Sequence, residues 1–243
     1  NPKQLIILCV NDIMKLSVII PVYNEVNTIK ECINRVKKAS TQANELEIIV
    51  SDNLSTDGTR DILRNINEEN IKIIYRENHS GKGANVKSAL KLATGDIIVI
   101  QDADLEYNPN DYSDLIRPFL EANADVVYGS RLTGAKYHRV FGVLHLLANK
   151  ILTWTANLLY DAILTDIETA TKAFRREIIT NLDLVSNGFE IEPEITAKLL
   201  KQKKLKIYEV PISHAARTYE EGKKVRWWHF FTSIWVLIKL RFT

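Results

Sequence analysis

Short apolar runs alternate with amphipathic segments through roughly the first hundred residues of the chain. Runs of β-branched side chains predict strands, and apolar positions that recur every three or four residues predict helices. The predicted strands cover residues 16–23, 47–51, 71–75 and 97–100, and the predicted helices cover residues 28–39, 59–65 and 84–93. This strict alternation with short connections is typical of an α/β fold, so we expect a mostly parallel central sheet flanked by helices.

The second half of the chain adds fewer strands and longer apolar segments. Residues 125–131 predict a strand that ends in an exposed arginine, and residues 206–211 predict a last strand. Neither the apolar segment 139–164 nor the run 230–240 contains the roughly 20 uninterrupted apolar residues that a membrane span requires. We therefore expect amphipathic helices that lie on a membrane or over the site.

One domain accounts for most of the chain. Residues 14–243 predict a single domain, with residues 1–13 as an N-terminal extension. Within it we expect a first half at residues 14–130, a second half at residues 131–226 and an amphipathic C-terminal helix at residues 227–243.

Charge is distributed unevenly along the 243 residues. The net charge is +2, but residues 198–243 carry 11 Lys or Arg against 3 Asp or Glu, which leaves −6 for the rest of the chain. A basic, tryptophan-containing tail predicts an anionic partner, for which we expect a membrane surface and not nucleic acid. The two cysteines, Cys9 and Cys32, have no disulfide or metal-ligand spacing, which fits a reducing, cytoplasmic setting.

Two aspartates follow the buried strand at residues 97–100. Asp102 and Asp104 are two positions apart, so in extended chain their carboxylates point the same way. Parallel sheets bind ligands at the carboxyl ends of their strands. Oxygen-only ligands favour a hard cation, so we predict Mg²⁺ or Mn²⁺ at this pair; the alternative is a solvated acidic turn.

Two other loops are predicted at the same edge of the sheet. Asp52 can accept hydrogen bonds from a nucleobase or ribose, or can cap the following helix. The turn at residues 81–83 can offer backbone N–H groups and the Lys82 ammonium to a phosphate. Its spacing is neither that of a P-loop nor that of a dinucleotide-binding fingerprint.

The ordered set of motifs resembles a known family. Residues 18–25 (VIIPVYNE), 50–59 (VSDNLSTDGT) and 95–104 (GDIIVIQDAD) are similar to the family 2 glycosyltransferases of GT-A fold. Within that family the chain most resembles the dolichyl-phosphate mannose synthase and polyprenyl-phosphate glycosyltransferase branch.

The resemblance implies an inverting, metal-dependent hexosyltransferase that uses a nucleotide-diphosphate sugar, either GDP-mannose or a UDP-hexose. It assigns the metal and diphosphate to Asp102 and Asp104, with Glu106 standing where the branch often has a metal-side glutamine. The resemblance makes residues 14–130 the nucleotide-sugar half and residues 131–226 the acceptor half. The implied nucleotide-sugar residues are Pro21, Tyr23, Glu25, Asp52, Lys82 and Asp102.

For the acceptor, the resemblance implies a polyprenyl or dolichyl phosphate at the inner face of the cell membrane. Arg131, Arg217 and Lys223 are the expected phosphate partners, and Asp166 belongs to an acidic turn expected in the catalytic site. A phosphate nucleophile needs little help from a base, because its second pKa is about 6. A sugar hydroxyl acceptor would require a carboxylate base, for which Asp166 or Glu192 is the candidate.

Other classes fit the sequence less well. A haloacid dehalogenase phosphatase normally carries its Asp-x-Asp motif on the first strand, and a sugar-nucleotide pyrophosphorylase has a Gly-rich, Arg-containing N-terminal loop that is missing here. A non-catalytic membrane scaffold would keep the basic tail but would need neither Asp102 nor Asp104.

Overall fold

A seven-stranded sheet forms the centre of the computed structural model, which describes residues 14–134, 136–137, 139, 142–217 and 227–243. The strands are β1 (Lys15–Val22), β2 (Glu45–Asp52), β3 (Ile71–Tyr75), β4 (Ile97–Ile100), β5 (Val126–Ser130), β6 (Lys172–Arg175) and β7 (Ile207–Pro211). The helices are α1 (Ile29–Lys38), α2 (Thr59–Arg64), α3 (Lys82–Leu90), α4 (Tyr112–Glu121), α5 (Val143–Tyr160), α6 (Arg176–Thr180), α7 (Ile191–Lys201) and α8 (Trp228–Phe242).

The order of the strands creates a crevice at the middle of the sheet. The order is β3-β2-β1-β4-β6-β5-β7, so the chain runs outward from β1 to β3 and then returns to place β4 on the other side of β1. This reversal separates the two carboxyl ends, where α/β proteins bind ligands. The expected mostly parallel sheet is confirmed: only β6 is antiparallel to its neighbours, β4 and β5.

Helices cover both faces of the sheet. Side chains from α1, α2 and α4 fill one core with the inward positions of β1, β2 and β4. Side chains from α3, α5, α7 and α8 fill the other core. The central strands are buried on both faces, which explains why their sequences are runs of apolar residues without alternation.

Most predicted elements are found close to their predicted bounds. The strand at residues 97–100 matches β4, and the apolar segment 139–164 contains one helix, α5. No helix among the described residues is long and apolar enough to cross a membrane. The sequence analysis missed β6 because it has only four residues and carries a charged side chain at each end. The predicted extension at residues 1–13 lies outside the described residues.

A buried carboxylate ties the amino-terminal ends of the central strands together. Glu47, 3% exposed, accepts hydrogen bonds from the Ser17 hydroxyl (2.5 Å), the Thr94 amide (2.6 Å) and the Gly95 amide (3.1 Å). Gly95 has no room for a side chain, since a β-carbon there would lie 2.6 Å from the Ser17 nitrogen. Burial alone would raise the pKa of Glu47, but these donors and Lys72 outweigh it and lower the pKa from 4.5 to about 2.

We expect Glu47→Gln to lower the free energy of unfolding at pH 7 by about 2 kcal/mol, because hydrogen bonds to a buried carboxylate are replaced by weaker ones to an amide. The folded-state pKa lies below the unfolded value, so the contribution is complete above pH 4.5 and is lost as the pH falls toward 2. The measurement is urea unfolding at both ends of this range. Glu45→Gln, on the exposed end of the same strand, is the control. If Glu47→Gln lowered the free energy of unfolding as much near pH 2 as at pH 7, or if Glu45→Gln lowered it equally, this role of Glu47 would be contradicted.

Candidate active site

Most of the residues predicted for the donor side meet at the crevice between β1 and β4. They come from separate segments of the chain, which the parallel strands bring to one edge. These residues lie in or directly after β1, β2 and β4: Pro21, Tyr23, Glu25, Asp52, Asp102 and Asp104.

Asp52 is fixed at the outer part of the crevice. It is fully buried and accepts hydrogen bonds from the Arg60 guanidinium (Nε, 2.5 Å) and the Ser55 amide (3.2 Å). Beside it, the Tyr23 ring packs edge-to-face on His79, with 4.4 Å between ring centroids. The capping alternative for Asp52 finds no support, because α2 has no side-chain cap.

A chain of alternating charges reaches Asp102 from the interior. The Lys82 ammonium lies 2.8 Å from Asp102 Oδ1 and 3.0 Å from Glu192 Oε1. Glu192 in turn contacts the fully buried Lys172 ammonium at 2.5 Å. Burial would raise the pKa of Glu192, but the two lysines lower it below its usual range. Glu192 is therefore a counter-ion that holds two lysines in place.

Asp104 lies in a crowded acidic environment. Burial, followed by the charges of Asp102 and Glu106, raises its pKa to about 7. Arg217 opposes this rise from 3.4 Å and also donates two hydrogen bonds to Glu25, at 3.0 and 3.2 Å. Arg217, which we expected at the acceptor phosphate, thus lies on the donor side and partly neutralises three acids there.

The Glu106 carboxylate is held by residues of the segment that follows β7. It contacts His214 Nε2 at 3.1 Å and accepts a hydrogen bond from the Arg217 amide at 3.1 Å. Burial would raise the pKa of Glu106, but the partners His214 and Arg217 lower it. Glu106 as a third metal ligand therefore stays a prediction, and in this structure its carboxylate is engaged by a histidine and an arginine.

Within the described ranges, no three His, Cys, Asp or Glu side chains form a preformed metal cluster. The Asp102 and Asp104 pair nevertheless fits a divalent cation. Mg²⁺ commonly takes one or two protein carboxylates and completes its shell with water and substrate phosphates. The raised pKa of Asp104 also reports a repulsion between neighbouring carboxylates that a cation would relieve.

The backbone of the Gly81–Gly83 turn is already hydrogen-bonded. The Gly83 amide donates to the Gly188 carbonyl (3.1 Å), and the Ala84 amide donates to the Asn187 carbonyl (3.0 Å). A β-carbon at Gly83 would lie 2.6 Å from the Ser186 carbonyl oxygen, so the glycine permits this close packing. The Gly83 amide is therefore already used in packing, whereas the Lys82 ammonium reaches Asp102.

On the acceptor side, Arg131 and Asp166 form a bidentate ion pair. Arg131 Nε lies 2.6 Å from Asp166 Oδ2, and its second nitrogen lies 2.7 Å from Oδ1. Asp166 is fully buried and also accepts a hydrogen bond from Asn149. Burial would raise the pKa of Asp166, but Arg131 lowers it to about 2. Arg131 was predicted to be exposed, but its side chain is partly buried because it is paired with Asp166.

Neither carboxylate named as a possible base is available for that role, since Asp166 and Glu192 are both held by cations. The sequence analysis missed two other residues close to these pairs, Lys172 and Glu168. The sequence gives only a weak indication of their importance. Both are charged residues in a segment, residues 167–174, whose other members are apolar residues or threonine. Lys223, the third expected phosphate partner, lies outside the described residues.

We expect Asp166→Asn to lower the free energy of unfolding by about 3 kcal/mol or more, because removing one member of a buried ion pair leaves the other charge uncompensated. Urea denaturation measures this loss. The control is Asp161→Asn at the exposed end of α5, where φ is 53° and asparagine is tolerated.

The double change Arg131→Met/Asp166→Leu should lower the free energy of unfolding by less than the sum of its two single changes. Simple additivity would mean that the pair does not act as a unit.

Comparisons with known proteins agree with this arrangement. The chain is 31% identical over 214 residues to a dolichol-phosphate mannosyltransferase of Pyrococcus furiosus, covering 86% of this chain and 59% of that protein. It is 31% identical over 207 residues to the low-salt glycan biosynthesis hexosyltransferase Agl6 of Haloferax volcanii, covering 84% of this chain and 49% of that protein. The chain thus spans about half to three-fifths of the length of these curated relatives.

A solved structure has the same fold at low sequence identity. It is glucosyl-3-phosphoglycerate synthase from Mycobacterium tuberculosis, in complex with Mn²⁺, UDP and phosphoglyceric acid. The TM-score is 0.70 at 23% identity, and the match covers 94% of this chain and 78% of that one. The family model described as glycosyl transferase family 2 matches residues 17–182. This chain therefore belongs to glycosyl transferase family 2.

Proposed function

We propose that this chain transfers a hexose from a nucleotide-diphosphate sugar to a polyprenyl or dolichyl phosphate at the cytoplasmic face of a membrane. The observation that carries the proposal is the meeting of Asp102, Asp104 and Lys82 at the switch point of the sheet. The name of the Pyrococcus relative, a dolichol-phosphate mannosyltransferase, supports the acceptor class. The sugar and the base of the donor are not specified by these residues.

On the donor side, each residue has a role that follows from its position. Asp52, held by Arg60, can accept hydrogen bonds from the nucleoside, and the Tyr23 ring offers it an apolar face. Lys82 is aimed at Asp102 and can donate to the diphosphate. Mg²⁺ or Mn²⁺ bound by Asp102 and Asp104 would neutralise charge on the leaving diphosphate. The binding of these cations by the glucosyl-3-phosphoglycerate synthase structures agrees with this role.

On the acceptor side, the charges favour a phosphate over a hydroxyl group. A hydroxyl acceptor would need a carboxylate base, and the cations beside the two candidates named from the sequence, Asp166 and Glu192, lower the pKa of both. A phosphomonoester is largely dianionic near neutral pH and needs positioning more than deprotonation. Arg131, which Asp166 holds in one orientation, can donate its remaining N–H groups to that phosphate.

An apolar surface next to the acceptor side suits a lipid. Helices α5 and α8 pack against each other, and each carries a stripe of exposed apolar side chains at helical spacing. The stripe on α5 consists of Val143, Leu144, Leu147, Ile151, Trp154 and Leu158; the stripe on α8 consists of Trp228, Phe231, Trp235, Ile238 and Phe242. Apolar patches of this kind mark membrane or protein contacts. Basic residues in 198–243 favour an anionic bilayer.

We expect sugar transfer to polyprenyl phosphate to require a divalent cation and Asp104. Asp104→Ala should reduce transfer at least a hundredfold, because the leaving diphosphate loses its charge partner. The assay supplies UDP- and GDP-hexoses with Mg²⁺, Mn²⁺ or EDTA. The control is Asp183→Ala, an exposed acid that follows α6. Undiminished transfer in EDTA would reject the metal role, and transfer to a free sugar hydroxyl but not to polyprenyl phosphate would reject the acceptor class.

We also expect the protein to co-sediment with vesicles that contain anionic lipid and to be released by high salt. Each basic residue near such a surface contributes about 1 kcal/mol, and salt screens this attraction. Trp154→Ser and Trp235→Ser should weaken binding because they shorten the two apolar stripes. Leu120→Ser is the control, since Leu120 is 55% exposed on α4, on the opposite side of the sheet. Equal losses in all three variants would argue against a specific membrane face.

A further inference from the structure

Glu168 lies on the short segment between Asp166 and strand β6. One of its carboxylate oxygens, Oε1, is buried and has no hydrogen-bond partner among the described residues. The hydroxyl oxygens of Thr169 and Thr171, on the same segment, are also buried without a hydrogen-bond partner there. Buried polar atoms normally find a partner, so three such atoms within four residues indicate that something polar binds here.

Glu168 differs from the other carboxylates of the site in having no cation of its own. Lys82 is paired with Asp102, Arg131 with Asp166, Lys172 with Glu192, and Arg217 with Glu25. Across the described part of the chain, Glu168 makes no such ion pair. Glu168 Oε1 therefore has neither a hydrogen-bond partner nor an ion-pair partner in that part of the structure, whereas Glu192 Oε1 lies 3.0 Å from the Lys82 ammonium.

Four charged groups act on Glu168, two of each sign. Lys172 and Arg131 favour its charged form, whereas Glu192 and Asp166 oppose it. Burial is the largest influence and also opposes the charge, so the pKa of Glu168 is raised from 4.5 to about 7. Both the neutral and the charged form of the side chain are therefore populated near neutral pH.

Because Glu168 lies near Arg131, only one of its two protonation states is compatible with a phosphate bound there. Under the proposed function, Arg131 holds the acceptor phosphate, and a charged Glu168 beside it would repel that dianion. A neutral carboxyl group can instead donate its O–H to a phosphate oxygen. We propose that Glu168 is part of the acceptor subsite and binds the acceptor phosphate in its protonated form.

This proposal rests on the proposed function. It adds one proton, which Glu168 holds while the acceptor phosphate is bound. Glu168 forms no covalent bond in the reaction. When the dianionic phosphate binds to an enzyme whose Glu168 is charged, one proton is taken up from solvent and stays on the carboxyl group. The phosphate oxygen then attacks the anomeric carbon while the bond to the nucleotide diphosphate breaks. The proton returns to solvent when the phosphodiester product leaves.

The test is the pH dependence of the KM for polyprenyl phosphate, measured between pH 7 and pH 9 at saturating donor and metal. Over this range the free phosphate is already mostly dianionic, since its second pKa is about 6. In the wild type, KM for the acceptor should rise about fivefold from pH 7 to pH 8 and about ninefold from pH 8 to pH 9, because a group with a pKa of about 7 must take up a proton on binding. The KM for the donor should change little.

Glu168→Gln should remove this rise. The amide has nearly the same shape, is neutral at every pH and can donate a hydrogen bond, so the acceptor KM should stay low and flat to pH 9. Glu177→Gln, on the exposed surface of α6, should keep the wild-type profile. If Glu168→Gln does not fold, the pH dependence of the acceptor KM in the wild type tests the proposal by itself.

The possible failures are distinct. A flat acceptor KM in the wild type, or an unchanged rise in Glu168→Gln, would overturn the role of Glu168 while transfer to polyprenyl phosphate still stands. If the wild type transfers sugar only to hydroxyl acceptors, at a rate that increases through pH 7 and is lost in Glu168→Gln, the residue is a base. In that case both the protonated role and the proposed function are wrong.

Discussion

Pairing buried carboxylates with cations is the constraint on which the rest of this site depends. Acids crowd at the carboxyl ends of β1, β4 and β5, and a buried charge is tolerated only when it has a partner. Each partner arrives from a distant segment: Lys82 from α3, Lys172 from β6, Arg131 from the end of β5, and Arg217 from beyond β7. The site therefore forms only when the whole sheet has assembled, although no single ion pair has to stabilise the fold strongly.

Two of the site's carboxylates, Asp104 and Glu168, are not fully compensated by cations, and we expect ligands to bind beside them. Near Asp104 the acids outnumber the cations, which raises the pKa of Asp104 to about 7 and favours a divalent cation on the donor side. Near Arg131 the excess acid is Glu168, whose pKa is also raised to about 7. A metal ion on the donor side and a proton on the acceptor side are two ways of reducing negative charge before two anionic substrates meet.

The sequence was informative where chemistry follows directly from a buried strand. Asp102 and Asp104 could be placed at the end of β4 because four apolar residues precede them, and Asp52 could be placed for the same reason. Long-range pairs could not be predicted, because nothing local to Arg131 reveals that Asp166 will take its guanidinium. The packing role of the two glycines in the Gly81–Gly83 turn could not be predicted, because their contact with residues 186–188 depends on tertiary structure.

We expect Asp102 and Asp104 to bind a cation together with a nucleotide diphosphate, in place of the contact between Arg217 and Asp104. Crystals grown with Mn²⁺ and either UDP or GDP, measured at a wavelength where manganese scatters anomalously, test this most directly. We expect one manganese peak bridging the two aspartates and the diphosphate, with Arg217 no longer within ion-pair distance of Asp104. A bound diphosphate with no manganese at these aspartates would contradict the account.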